Sequence, residues 1–160
     1  MKILISACLL GEPVRYDGKG KPVTSPILHQ WQQAGQLLPF CPELAGGLSV
    51  PREPAEIQPD HRIVTHSQLD VTGAFELGAR QAQKLVKDYD INMAIMTDLS
   101  PSCGSSHIYD GSFSGQIREG EGRTVQYLRQ AGVRVFSQHQ IDQAWKYWQT
   151  QVTDCDKGSG

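Results

Sequence analysis

Short apolar runs alternate along this chain with stretches of helical periodicity. Lys2-Ile3-Leu4-Ile5-Ser6-Ala7 and Met93-Ala94-Ile95-Met96-Thr97 are nearly continuous runs, the pattern of strands buried on both faces. Gln36–Phe40 predicts a weaker strand, because Pro39 removes a backbone donor. Val133–Phe136 predicts a last strand and Ile63–Thr65 a minor one. Ser25 followed by Pro26 reads as an N-cap and first helical position, with Ile27, Leu28, Trp31, Ala34 and Leu38 continuing at helical spacing. The clearest helix spans about 72–89, where Phe75, Gly78/Ala79, Ala82, Leu85/Val86 and Tyr89 mark one face. A short helix is expected over 124–130, with Gly132 just beyond it. Ser137-x-x-Gln140 resembles a capping box for a final helix carrying Ile141, Ala144, Trp145 and Trp148. Residues 42–62 and 100–122 are rich in turn formers and lack a clear period. Both are expected as long loops, which in compact domains are often functional.

Strands alternating with helices predict an α/β protein, a three-layer Rossmann-like domain with a mainly parallel sheet. The 160 residues suit one domain, expected over 1–152, with 153–160 as a flexible polar tail. In such sheets the strands' C-terminal ends share one edge, and ligands bind beyond it. Fifteen Lys+Arg against 17 Asp+Glu leave a net charge of −2, which predicts no nucleic-acid polymer and no membrane surface as partner. No apolar run approaches the length of a membrane span. The N-terminal run reads as a strand rather than a signal peptide, so the expected compartment is the reducing cytoplasm. Cysteines there are more often free, metal-bound or catalytic than paired.

Three of the four cysteines carry the chemical signal. Cys8 ends the first strand run, Cys41 follows Leu37–Phe40 directly, and Cys103 comes shortly after Met93–Thr97. Parallel, neighbouring strands would bring these thiols to one crevice although they lie 33 and 62 residues apart. Cys155, in the tail, has no such placement. Converging thiols suit a soft metal or an iron–sulfur cluster. A structural zinc site would want a fourth ligand and C-x-x-C pairs, of which there are none. Three inert core thiols are the competing reading. Polar neighbours, Glu43 beside Cys41 and Ser100 and Ser102 beside Cys103, weigh against it.

Ser6-Ala7-Cys8-Leu9-Leu10-Gly11, Arg15-Tyr16-Asp17-Gly18, Cys41-Pro42-Glu43, Gly46-Gly47-Leu48, Pro51-Arg52-x-Pro54-Ala55-Glu56-Ile57, Ser100-Pro101-Ser102-Cys103-Gly104 and Ile108-Tyr109-Asp110-Gly111-x-Phe113-Ser114-Gly115 together resemble the thiouracil desulfidase family, over roughly residues 1–150. The resemblance implies a [4Fe-4S] cluster held by three cysteine ligands, Cys8, Cys41 and Cys103, with one open iron. It also implies conversion of the thiocarbonyl of a thiolated nucleobase or nucleoside, such as 2-thiouracil, into a carbonyl, with release of sulfide and no net redox change. Many relatives carry a further cysteine where this chain has Val14, which marks that position as not a required ligand here. Glu43 is the candidate general acid/base. Ser100 or Ser102 would position water or the ring.

Each assignment has a structural rival. Glu43 could cap a helix start after Pro42. Arg52 could contact a ligand or sit in a surface ion pair. Arg15 and Asp17 could shape the pocket or pin a turn with Gly18. Glu53 and Glu56 read as loop solubilisers or salt-bridge partners. Among the histidines only His107, in the loop after Cys103, could reach the site; His29, His61, His66 and His139 show no ligand spacing. Tyr109, Asp110 and Ser112 would line or close the pocket. The tryptophans read as core rather than as stacking platforms. Alternatives to the desulfidase are a non-catalytic iron–sulfur or metal-binding sensor or interaction module, and a cysteine-nucleophile enzyme.

Overall fold

The computed structural model describes residues 2–158, with side chains through residue 152. The tail expected at 153–160, with Cys155, falls where the side chains lie outside the described residues. In chain order the elements are β1 (Ile3–Ser6), a 3-10 turn (Ala7–Leu10), α1 (Pro26–Gln33), β2 (Leu37–Phe40), α2 (Pro42–Ala45), β3 (Ala55–Ile57), β4 (Ile63–Thr65), α3 (Thr72–Asp88), β5 (Met93–Met96), β6 (His107–Tyr109), β7 (Ile117–Glu119), α4 (Arg123–Gln130), β8 (Arg134–Ser137) and α5 (Ile141–Gly158). Among the described residues no helix is long and apolar enough to cross a membrane.

The central sheet has the order β2-β1-β5-β8 and every pairing in it is parallel. Every residue of β1 and β5 is buried, as the continuous apolar runs require of inner strands. The two-residue period of a strand sends alternate side chains into two cores. Ile3, Ile5, Met93 and Ile95 pack with Leu28 and Trp31 of α1 and Ala144 of α5. Leu4, Ala94 and Met96 pack oppositely, against Ala82 and Val86 of α3 and Val125 and Leu128 of α4. The result is the expected three-layer α/β architecture. Trp31, Trp145 and Trp148 form one aromatic cluster, with centroids 5.2 to 5.9 Å apart, in the layer built by α1 and α5.

Local signals act largely as read. Ser25 Oγ accepts the Leu28 N–H at 3.3 Å, with Pro26 opening α1. Leu38 lies in β2 rather than on α1, because Gly35 at φ +69° ends the helical stretch first. Pro39 is tolerated because β2 is an edge strand. Gln140 Oε1 accepts the Ser137 N–H, but Ser137 Oγ takes the His139 N–H, so only half of the capping box forms. The two long loops are more ordered than expected. The first contains α2 and β3, which pairs antiparallel with β4; the second contains the antiparallel β6–β7 hairpin. Three-residue strands are too short to show a period, and β7 is exposed throughout.

Two glycines seat α2 on α3. A Cβ on Gly78 would lie 2.0 Å from the Pro42 carbonyl oxygen, and one on Gly46 would lie 2.0 Å from that of Ala74. Gly78→Ala should therefore destabilise the protein by about 1–3 kcal/mol, although alanine is the better helix former. Gly73→Ala, at a site of the same helix with nothing within 4 Å, should instead stabilise it by up to about 1 kcal/mol. Urea-unfolding midpoints of the two variants should move in opposite directions.

Candidate active site

The ends of β2, β1 and β5 lie side by side, and the winding reverses between β1 and β5. This is the switch point at which open α/β sheets bind ligands. A cavity of about 330 Å³ opens there, and Cys8, Cys41 and Cys103 all line it. Cys8 lies on the 3-10 turn after β1, and Cys41 is the N-cap of α2 after β2. Cys103 follows β5 in a loop stitched to the start of α4, where the Thr124 and Val125 N–H groups donate to the Ser102 carbonyl. A Cβ on Gly122 would meet the backbone of Ser102 and Cys103 at 2.4 to 2.7 Å, so this approach needs glycine. All three thiols are free. Burial, reinforced by Cys41, pushes the Cys8 thiol up to about 11 against the pull of Arg15 and Lys21. Burial pushes Cys103 up to about 12 despite hydrogen bonds with Ser102 and Ser6. Cys41 is also raised, by burial.

Glu43 stands two residues past Cys41, in the first turn of α2. It does not cap α2, because Cys41 occupies the N-cap. Its Oε2 lies 3.4 Å from Arg52 Nη2, and its side chain is 18% exposed. Arg52 is no surface partner: its side chain is 8% exposed and it donates to the carbonyls of Val14 and Ser49, each at 3.0 Å. One guanidinium thus ties the segment after Cys8 to the one after Cys41. Burial raises the Glu43 pKa, although Arg52 and the Ser102 hydroxyl oppose the shift. Ser102 is fully buried and its Oγ lies 3.3 Å from Cys103 Sγ and 3.0 Å from Ser100 Oγ. Ser100 lines the cavity and its Oγ also accepts the N–H groups of Ser102 and Cys103. Ser100, Ser102 and Cys103 therefore form one polar chain beside the cavity, with Glu43 near enough to feel the Ser102 hydroxyl.

Two carboxylates differ from the sequence reading. Glu56 is no solubiliser: it is 9% exposed, lines the cavity, and its Oε1 accepts the N–H groups of Gly111 and Phe113 at 3.0 and 3.1 Å. Glu53, by contrast, is exposed and accepts the Ser67 hydroxyl. Asp98 was not singled out at all. Its Oδ1 accepts the N–H groups of Leu99, Ser105, Ser106 and His107 at 3.0 to 3.3 Å, and its Oδ2 accepts the Ser106 hydroxyl at 2.7 Å. These bonds close the loop that carries Cys103 and hold Leu99 at φ +72°, a conformation that non-glycine residues seldom adopt. The available signal was an acidic residue at the C-terminal end of a buried strand. Arg15 lines the cavity, while Asp17 accepts the Lys19 N–H in a turn with Gly18 at φ +77°. Tyr109 lines the cavity too; Asp110 and Ser112 bond to each other at the hairpin tip. His107 Nδ1 pairs with Ser106 Oγ and does not line the cavity; the other four histidines are exposed.

The donor set decides what the cavity could hold. Its thiols come from three separate segments, and no histidine lines it. Among the described residues no three His, Cys, Asp or Glu side chains are grouped to hold one metal ion. A mononuclear zinc site needs such a group, whereas a cluster takes one thiolate per iron and can be held from separate walls. The residues present fit an iron–sulfur cluster.

Fold and site together define a doubly wound α/β protein with a thiol-lined ligand cavity at its switch point. The chain belongs to the 2-thiouracil desulfurase family, whose family model matches residues 3–140. It is 38% identical over 149 residues to the Bacillus subtilis (strain 168) protein described as uncharacterized protein YbbK, covering 88% of this chain and 97% of that one. It is also similar to the solved structure of the [4Fe-4S]-dependent thiouracil desulfidase TudS, with a TM-score of 0.91 and 46% identity over 93% of this chain and 98% of that one.

Burial opposes ionisation of Asp98, but its hydrogen bonds prevail and hold the carboxyl below its ordinary value of 3.8. Its stabilising contribution is therefore full above that value and is lost as the pH falls through the lowered one. Asp98→Asn should lower the melting temperature at pH 7. The deficit should shrink on acidification below about pH 4, as both proteins come to carry an uncharged group there. Thermal scans of both proteins between pH 7 and pH 2 measure it.

Proposed function

We propose that the protein is a [4Fe-4S]-dependent desulfidase that converts the C=S group of a thiolated nucleobase or nucleoside, 2-thiouracil being the type, into C=O. The net change, C=S plus water giving C=O plus hydrogen sulfide, transfers no electrons and calls for no redox partner. The observation that carries this reading is the arrival of three cysteines from adjacent strand ends at one cavity, with a half-buried carboxylate beside them. Cys8, Cys41 and Cys103 are the cluster ligands. When bound, a cluster with three protein ligands supplies an open, Lewis-acidic iron matched to a soft thiocarbonyl sulfur.

The chain's own side chains do the rest. Glu43 accepts a proton from the water that attacks the thiocarbonyl carbon and returns one to the departing sulfur. Arg52, paired with Glu43 Oε2 and itself anchored on two carbonyls, orients the carboxylate before substrate arrives. Ser100, whose residue reaches the cavity, holds the water or the ring. The β6–β7 hairpin, through Tyr109 and Gly115, and the segment after Cys8, through Val14, Arg15 and Tyr16, line the cavity around the substrate. The thiols are poor independent nucleophiles here, since burial raises the pKa of all three and no histidine lines the cavity.

Anaerobic reconstitution followed by iron and sulfide analysis tests this reading. Cys8→Ser, Cys41→Ser and Cys103→Ser should each lose iron and activity, while Cys155→Ser keeps both. Glu43→Gln should keep its iron and lose about 10²- to 10⁴-fold in kcat for sulfide release from 2-thiouracil. A brown protein that releases no sulfide from any thionucleobase would instead be a binding module. A colourless protein that remained active would contradict the cluster assignment.

A further inference from the structure

Glu56 has a half-used carboxylate in the cavity wall. Oε1 is occupied by two backbone donors, Gly111 and Phe113, from the hairpin between β6 and β7. Gln58 Nε2 adds a third tie by donating to the Gly111 carbonyl at 3.1 Å. Gly111 is the residue this approach allows: it has φ +97°, and a Cβ there would lie 2.9 Å from the Ile57 carbonyl oxygen. Two hydrogen bonds thus hold the Glu56 carboxylate by Oε1, and the third steadies the backbone that supplies one of them. Oε2 has no partner among the described residues, yet it is not among the sealed, unpaired polar atoms. It remains an accessible acceptor on a residue that lines the cavity. A carboxylate oxygen only accepts, so the group it asks for is a donor.

We infer that Glu56 is a specificity-determining residue, its Oε2 accepting the ring N–H next to the thiocarbonyl of the substrate. This rests on the proposed desulfidase reading and deepens it. The N–H is N3–H rather than N1–H, because N1 bears the sugar in a nucleoside and has no hydrogen there. A base with a lone pair at N3 would face Oε2 acceptor to acceptor. It is rejected for that reason, as sites built around a hydrogen bond reject ligands that cannot complete it. Holding N3–H would also fix the rotation of the ring in its own plane, and with it the direction in which the sulfur points.

Two methyl isomers test this in the wild-type reconstituted enzyme. 1-Methyl-2-thiouracil keeps N3–H and 3-methyl-2-thiouracil lacks it, at equal mass and with the same thiocarbonyl. The first should exceed the second at least about tenfold in kcat/KM. The oxygen counterparts, 1-methyluracil and 3-methyluracil, should show the same order in calorimetric binding, where no turnover occurs. Glu56→Gln provides the exchange: its amide oxygen can keep the Gly111 and Phe113 bonds while its NH2 offers a donor to the cavity. That variant should keep its melting temperature and iron content. Its preference for 2-thiouracil over 2-thiocytosine, which has an acceptor at N3, should fall at least about tenfold. Equal handling of the two methyl isomers in both assays, or an unchanged preference in a folded, iron-loaded Glu56→Gln, overturns the assignment. Absence of sulfide release from every thionucleobase by the wild type would sink the desulfidase reading itself, and is distinguishable from either result.

Discussion

Parallel hydrogen bonding of β1 to β2 on one side and to β5 on the other is the constraint on which the site depends. Only parallel pairing puts three C-terminal strand ends at the same edge. Cys8 and Cys41 are carried on the turns that begin where β1 and β2 stop, and Cys103 on the loop that leaves β5. The ladder is protected because β1 and β5 are sealed between two apolar layers. The hydrophobic effect therefore acts on the site indirectly, by fixing the sheet that aims the thiols.

Around that edge the loop backbone is tied down by hydrogen bonds from several directions. Asp98 closes the Cys103 loop from within, and the start of α4 holds it from without. Arg52 joins the segments after Cys8 and Cys41, and α2 is lowered onto α3 by two glycines whose side-chain space is taken by backbone. The three cysteine-bearing segments are thus braced by separate devices, which suits a site that must present several atoms in fixed relation.

Buried polar groups mark where the molecule departs from simple packing. A half-buried carboxylate against a buried guanidinium is costly unless its remaining hydrogen-bonding groups are satisfied. Glu43 and Arg52 meet that condition in part, through Ser102, Val14 and Ser49, while Arg52 Nε has no partner among the described residues. Such expense is common at sites of chemistry and rare elsewhere in a small domain.

The sequence by itself determined the four strands of the central sheet, the long helices and the Ser25 cap, because these rest on periodicity and on contacts within a few residues. It also placed each of the three cysteines just past a strand, and so allowed a common crevice to be expected. The order β2-β1-β5-β8, the helical turn α2, the short antiparallel pairs and the partners of Glu56, Asp98 and Arg52 were decided only in three dimensions. Glu56 looks solvating beside Pro54 and Ala55, and becomes a wall residue only when Gly111 and Phe113, more than fifty positions away, bring it their N–H groups. For Glu56 and Arg52 the physical reason is shared: a buried polar group is defined by what satisfies it, and that partner comes from a distant segment that no local pattern encodes.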